Sequence, residues 1–266
     1  MTTPHSAVHR RLRIWHFLVV AIAYIALVQG VTLAMTAGQD SGYAEPTSID
    51  GIVRSVVVPV GLGLVLVLAV TGWFGLWDQV FVERRRFRRW TLVLPVVLLL
   101  VAGVVTNWSG LGAKGSAFAL LLFVALMMVG FGEELLFRGI GVAAFRQHGL
   151  SERQVGLWTT VVFGVAHGSN VVTAGPAALV QILLTAATGC VFYLVLRSTG
   201  TLLASMAAHG LWDFSVISTQ VDPDSTSPLV NVAGVALAVI LVGAFIARRH
   251  LARETGARTA MPDRAS

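Results

Sequence analysis

Long apolar runs alternate with short polar segments along the whole chain. A helix needs about 20 apolar residues to cross the hydrocarbon core of a bilayer. The pattern therefore predicts an all-α fold, a polytopic membrane bundle of about eight transmembrane helices. The predicted spans cover approximately residues 14–35, 52–77, 90–106, 116–132, 155–167, 176–196, 202–217 and 229–247.

Composition supports a membrane protein over a soluble one. The 266 residues are 56% hydrophobic and 12% charged, whereas soluble domains carry about 25% charged residues. The single cysteine, Cys190, excludes an internal disulfide and a cysteine metal cluster. The first apolar run is longer than the core of a signal peptide, which favours a retained helix.

The distribution of basic residues predicts the orientation of the spans. With a cytoplasmic N-terminus, eight alternating spans leave only Arg54 and Lys114 as basic residues of the outside loops. Positive charge concentrates in cytoplasmic loops, so we predict a multi-pass protein of the cell membrane with both termini in the cytoplasm. The net charge of +6 is thereby explained without nucleic acid, and the polar tail 253–266 is predicted to be disordered.

Ionisable residues interrupt the fourth apolar run, which ends in F-G-E-E-L-L-F-R-G. Charges inside a membrane helix are costly and indicate a functional site. Glu134 and Arg138 are four residues apart and share a helix face, so they can pair. Glu133 points about 100° away and lacks that partner. We expect this cluster at the cytoplasmic end of the fourth span.

Three further ionisable residues fall in later spans. His167 ends the fifth span, and His209 and Asp213 lie four residues apart in the seventh. Each has a structural interpretation, as a core histidine or as a hydrogen-bonded pair on one helix. Separate burial of every cluster would carry a separate desolvation cost, so one shared polar cavity is the more economical arrangement. Gly164 and Gly168 flank His167 with the spacing typical of close helix packing.

Such a cavity has the groups needed to hydrolyse a peptide bond. Glu133 is the natural general base for a water molecule, and His167 can share or orient that water. His209 can donate to the oxyanion, with Asp213 fixing it from one turn away. Glu134 and Arg138 then hold the helix in register. The same groups also suit other water-dependent acyl transfers.

Three ordered motifs carry a family resemblance: E-E-L-L-F-R, F-G-V-A-H and H-G-L-W-D. Read as E-E-x-x-x-R, F-x-x-x-H and H-x-x-x-[N/D], they resemble the CPBP family of intramembrane proteases, over residues 117–218. This family includes the type II CAAX prenyl endopeptidases and the bacterial Abi and bacteriocin-immunity proteins. The motifs divide the chain into N-terminal helices (1–115), a catalytic core (116–218), and a last helix with a basic tail (219–266).

The resemblance implies an all-helical fold with a catalytic cavity open to the cytoplasmic leaflet. It implies that Glu133 and His167 activate water and that His209 and Asp213 form the oxyanion side. Eukaryotic members carry Asn where this chain has Asp213. An ionised Asp cannot donate a hydrogen bond, so Asp213 is expected to orient His209 unless it is protonated.

The residues leave metal use open. Glu133, His167 and His209 would suit zinc with an open position for water, but no H-E-x-x-H is present. We favour a metal-free mechanism that needs no cofactor. The segment N-W-S-G at 107–110 does not match a serine rhomboid, and no pair of membrane aspartates matches an aspartyl protease.

The leading functional hypothesis is an intramembrane endopeptidase whose partners are the lipid bilayer and a membrane protein or peptide substrate. The first alternative is a non-catalytic immunity or scaffold protein that uses the cavity for binding. The second is a proton-coupled transporter, since buried Glu and His can relay protons, although no internal repeat supports it.

Overall fold

The computed structural model describes residues 11–38, 47–87, 89–170, 177–222 and 243. Within these ranges the chain is helical and contains no β-strand, only an isolated antiparallel bridge between Val82 and Thr201. The predicted all-α fold is confirmed for these residues. The predicted eighth span, apart from Gly243, and the predicted disordered tail lie outside the described residues.

The helices are numbered here in chain order. A 3₁₀ turn, Arg89–Leu92, precedes the fourth helix, and another, His167–Asn170, follows the seventh. The helices are α1 Ile14–Thr36, α2 Ile49–Trp73, α3 Trp77–Phe81, α4 Val93–Val105, α5 Trp108–Lys114, α6 Ser116–Gln147, α7 Glu152–Ala166, α8 Ala177–Thr199 and α9 Leu202–Ser218.

Fewer helices than predicted are long and apolar enough to cross a membrane. In the described part of the chain these are α1, α2, α6 and the segment Ile182–Thr199 of α8. The segments Trp90–Val105 and Trp108–Lys114 meet at a 55° bend and would make a fifth span if counted together. The helices α7 and α9 have 15 and 17 residues, so the predicted count of about eight is not confirmed.

Helix α6 extends beyond the apolar run that was predicted as the fourth span. The fourth span was expected to stop near residue 132, at the ionisable cluster, but α6 continues to Gln147 and has 32 residues. A π-helical stretch, Leu135–Gly141, carries it past the cluster, and every residue of that stretch is buried. Glu133, Glu134 and Arg138 therefore lie within the helix and not at its end.

Helices α6 and α9 approach closely at two glycines. A Cβ atom on Gly130 would lie 2.5 Å from the backbone nitrogen of Gly210 and 2.7 Å from the carbonyl oxygen of Met206. A Cβ on Gly210 would lie 2.9 Å from Cα of Met127. Because backbone atoms cannot rotate away, only glycine permits this contact, which brings Glu133 of α6 towards His209 of α9.

A second glycine contact joins α7 to α8. A Cβ on Gly164 would lie 2.8 Å from Cβ of Ala186 and 3.0 Å from the carbonyl oxygen of Ile182. One on Gly168 would lie 3.2 Å from the side chain of Ile182. These distances agree with the packing role expected for both glycines, and the contact fixes the end of α7, where His167 begins the 3₁₀ turn.

A charged network closes one end of the bundle. Arg146 of α6 lies 2.7 Å from Glu83 and 2.7 Å from Glu152. Arg197 of α8 lies 2.6 Å from Glu152, and Arg85 also pairs with this carboxylate. Phe87 and Glu83 donate backbone hydrogen bonds to the end of α8 and the turn after it. This network ties the segment between α3 and α4 to the ends of three helices.

Candidate active site

Glu134 is the most fully paired group of the polar cluster. Its Oε1 accepts a hydrogen bond of 2.6 Å from Nη1 of Arg138, and both side chains are completely buried. The same oxygen lies 3.1 Å from Nδ1 of His209, and Oε2 accepts a 2.5 Å bond from the Ser205 hydroxyl. The pairing of Glu134 with Arg138 expected from their spacing is present. Both carboxylate oxygens are therefore committed within the protein.

Arg138 is held on several sides. Nη2 donates a 2.8 Å hydrogen bond to the carbonyl of Gly189, and the guanidinium carbon lies 4.1 Å from the ring centre of Phe163 and 5.7 Å from that of Phe192. Cation–π contacts strengthen when the cation is desolvated. A Cβ on Gly189 would lie 2.8 Å from Nη2 and 2.7 Å from Phe163, so glycine is needed there to make room.

Glu133 contrasts with its neighbour because it has no direct partner for one oxygen. Its Oε2 is buried and accepts no hydrogen bond from the described residues. It lies 3.8 Å from Nε2 of His167 and 3.9 Å from Nε2 of His209. Both distances are too long for a direct hydrogen bond. The structure thus brings the three residues together around one carboxylate oxygen.

His167 is fixed by its own helix. Its Nδ1 lies 2.9 Å from the carbonyl oxygen of Phe163, one turn earlier. Since a carbonyl can only accept, Nδ1 carries the proton, and the neutral ring then has a free lone pair on Nε2. That lone pair is on the nitrogen nearest Glu133. The short α7, ending at Ala166, puts the ring at the level of the α6 carboxylates.

His209 lies between two carboxylates. Nδ1 lies 3.1 Å from Oε1 of Glu134, and Nε2 lies 3.3 Å from Oδ2 of Asp213. Only the doubly protonated ring can donate to both. The ring also stacks on Phe192 with centroids 4.4 Å apart and planes inclined by 17°, a contact that favours a cation over an aromatic face. The arrangement stabilises His209 as an imidazolium.

Exposure divides the cluster into a buried side and an accessible side. The side chains of Glu134 and His209 are 0% and 3% exposed, whereas those of Glu133, His167 and Asp213 are 16%, 21% and 27% exposed. The cluster is therefore accessible from the side of Glu133, His167 and Asp213. The buried groups, Glu134 and His209, lie on the inner side of the cluster.

Glu133, His167 and His209 were considered as metal ligands only for the case that the protein uses a metal. Within the described ranges, no group of three or more His, Cys, Asp or Glu residues is arranged to hold a metal ion. Both ring nitrogens of His209 face carboxylates, and a doubly protonated ring has no lone pair for a metal. Glu133, His167 and His209, the zinc ligands considered from the sequence, do not fit that role.

Three site residues were not identified from the sequence. Ser205 precedes His209 by one helical turn, so its shared face was a usable signal. Phe192 and Gly189 lie on α8, and nothing local marks them, because they act by contacting Arg138 and His209 from a different helix. Their roles follow only from the packing.

Comparison with known proteins agrees with the three ordered motifs found in the sequence. Residues 115–215 match the family model described as Rce1-like: Type II CAAX prenyl endopeptidase Rce1-like. The matched segment runs from the residue before α6 into α9 and contains all six polar residues of the cluster. The resemblance to the CPBP family of CAAX-type proteases is thereby confirmed. No curated protein and no solved structure matches the chain.

Proposed function

We propose that this chain, whose residues 115–215 match the family model of the type II CAAX prenyl endopeptidases, is an intramembrane endopeptidase. It hydrolyses a peptide bond of a membrane-associated protein or peptide with water activated by Glu133 and His167. One observation carries the proposal. The buried Oε2 of Glu133 has no hydrogen-bond partner among the described residues and faces Nε2 of both His167 and His209 at 3.8 and 3.9 Å.

The first step is activation of water. Glu133 Oε2 and His167 Nε2 are both acceptors, so one water molecule can donate one hydrogen to each. Their separation of 3.8 Å matches two hydrogen bonds of about 2.8 Å to a common oxygen. As the water oxygen attacks the substrate carbonyl carbon, Glu133 takes the proton.

The second step is stabilisation of the tetrahedral intermediate. The carbonyl oxygen becomes an oxyanion, which Nε2–H of His209 stabilises by a charge-assisted hydrogen bond. Asp213 holds this nitrogen until the substrate arrives, and Glu134 holds the opposite nitrogen throughout. Cleavage of the C–N bond then transfers the Glu133 proton to the leaving amine, which regenerates the carboxylate.

The test is a comparison of membrane peptides by mass spectrometry in cells that produce the wild-type protein or a site variant. We expect Glu133→Gln and His167→Ala to abolish the cleavage products while the protein still inserts in the membrane. His148→Ala provides a control, because the side chain of His148 bonds only the carbonyl of Ala144 among the described contacts and lies outside the cluster. Products that persist in both Glu133→Gln and His167→Ala cells would eliminate the protease assignment.

A second arm addresses the class of substrate. A synthetic peptide with a C-terminal S-farnesylated cysteine, followed by two aliphatic residues and a last residue, is compared with the same peptide lacking the lipid. Glu133-dependent cleavage of the lipidated peptide alone would assign the prenylated class. Equal cleavage of both peptides would indicate that the lipid is not recognised.

A further inference from the structure

A buried tyrosine outside the family-matched segment contacts the site. Tyr24 lies on α1 and is 4% exposed. Its ring packs on Gly63 of α2, where a Cβ would lie 2.6 Å from Cε2. Its hydroxyl packs on Gly132 of α6, where a Cβ would lie 3.1 Å from Oη. Tyr24 thus packs where α2 and α6 each carry a glycine and no side chain.

The hydroxyl of Tyr24 has no structural task within the described residues. It makes no hydrogen bond there, although buried hydroxyl groups are almost always paired because burial without a partner is costly. Gly132 directly precedes Glu133, and the phenol lies within electrostatic range of that carboxylate. Oε2 of Glu133 is likewise buried and without a partner. Among the described residues, a buried donor without an acceptor thus contacts the residue that precedes a buried acceptor without a donor.

We propose that Tyr24 is a positioning residue, whose hydroxyl donates a hydrogen bond to the Glu133 carboxylate in the substrate-bound enzyme. This inference rests on the proposed protease function. The bond holds the carboxylate towards His167 while water is activated. It would make α1, which precedes the matched segment, part of the catalytic apparatus and not only a membrane anchor.

The test uses Tyr24→Phe, which removes the hydroxyl and keeps the ring between Gly63 and Gly132. The substrate is a synthetic quenched peptide spanning the strongest Glu133-dependent cleavage site found in cells. We expect kcat to fall about 10-fold or more, as for loss of a hydrogen bond to a charged group. KM should stay within about twofold, because ground-state binding is unchanged. The melting temperature in detergent should not fall, because the lost hydroxyl had no partner.

The matched control is Tyr193→Phe. The Tyr193 hydroxyl bonds Glu152 and Arg197 in the charged network, so its loss should lower the melting temperature and leave kcat unchanged. For Tyr24→Phe, wild-type kcat, a raised KM or a lowered melting temperature at unchanged kcat would each overturn the assignment of Tyr24 alone. Absence of any Glu133-dependent product in cells would instead remove the protease function, and the assignment with it.

Discussion

His209 directs Nδ1 at Oε1 of Glu134 from 3.1 Å, and this contact joins the ion pair within α6 to His209 on α9. Since Arg138 bonds the same oxygen, one carboxylate contacts a guanidinium and an imidazole at once. The two adjacent glutamates therefore differ in their surroundings. In the proposed mechanism Glu134 maintains the geometry of the site, and Glu133 carries out the chemistry.

The first prediction separates these tasks by substituting each glutamate in turn. Glu134→Gln leaves Arg138 buried without a counter-ion, which costs about 3–5 kcal/mol when one partner of a buried pair is removed. Glu133→Gln removes a carboxylate that has no partner for Oε2, so its stability should equal or exceed that of the wild type. Thermal unfolding in detergent micelles measures the stability of both variants. A Glu134→Gln protein as stable as Glu133→Gln would contradict the division of tasks.

The second prediction concerns the contact between α6 and α9. Gly130→Ala would place a methyl group 2.5 Å from the backbone nitrogen of Gly210. The helices must then separate, which costs about 1–3 kcal/mol and draws His209 away from Glu133. We expect lower stability and loss of cleavage.

The control for Gly130→Ala is Gly103→Ala on α4. A Cβ at Gly103 meets nothing within 4 Å, and alanine is the better helix former. This variant should keep wild-type stability and cleavage. A Gly130→Ala protein with wild-type cleavage would show that the close contact is not required for the site.

The third prediction is a pH dependence of stability at the charged network. Burial alone would raise the pKa of Glu152, but hydrogen bonds and positive charge from Arg146, Arg197 and Arg85 lower it from 4.5 to about 2. Because the folded protein favours the ionised carboxylate, Glu152 stabilises the fold at pH values above 4.5, the pKa of the unfolded chain. This contribution to stability is lost as the pH falls from 4.5 to about 2. It amounts to something on the order of 2–3 kcal/mol.

Thermal unfolding of the wild type and of Glu152→Gln between pH 2 and pH 6 measures this contribution. The wild type should be the more stable protein above pH 4.5, and the difference should shrink as pH falls towards 2. A difference that is independent of pH would show that the carboxylate contributes through shape and not through charge.

The fourth prediction concerns Asp213. Asparagine there can accept from Nε2 of His209 and also donate to the oxyanion, so Asp213→Asn should retain cleavage. Asp213→Leu removes the acceptor 3.3 Å from Nε2 and should lower kcat by about 10-fold. Steady-state kinetics on the same peptide compare the two variants. An equal loss of kcat in both would show that the negative charge of Asp213 is what cleavage requires.

The fifth prediction concerns metal removal. His209 faces a carboxylate at each nitrogen, which leaves the site without the three ligands that a catalytic zinc needs. Dialysis against a strong chelator should therefore leave cleavage of the quenched peptide unchanged. Inactivation by the chelator, with recovery on adding zinc back, would replace the proposed mechanism by a metal-dependent one.

Much of the fold and the cluster could be predicted from local pattern. The start of α1 at Ile14 and of α9 at Leu202 agree with the apolar runs, because the boundaries there coincide with basic or polar residues. The pairing of Glu134 with Arg138 follows from helix spacing alone. Orientation across the membrane and the roles of the site residues remain predictions.

The features that the sequence pattern did not predict depend on contacts between distant parts of the chain. Helix α6 extends far beyond residue 132, where the fourth apolar span was predicted to end, and Ser205, Gly189 and His209 supply partners for Glu134 and Arg138 inside the bundle. A local pattern contains no information about such partners. For the same reason the site hydroxyl of Ser205 and the aromatic face of Phe192 could be assigned only once the helices were packed.

The π-helical stretch Leu135–Gly141 also affects how the gene can vary. Its wider turns accommodate one more residue than an ordinary helix over the same rise. Deletion of a single codon there would restore regular winding and leave the rest of α6 in nearly the same orientation. Arg146 would then stay close to Glu83 and Glu152, which it now contacts. Relatives that keep the network can therefore differ by one residue in the length of this stretch, whereas a deletion elsewhere in α6 would rotate Arg146 away.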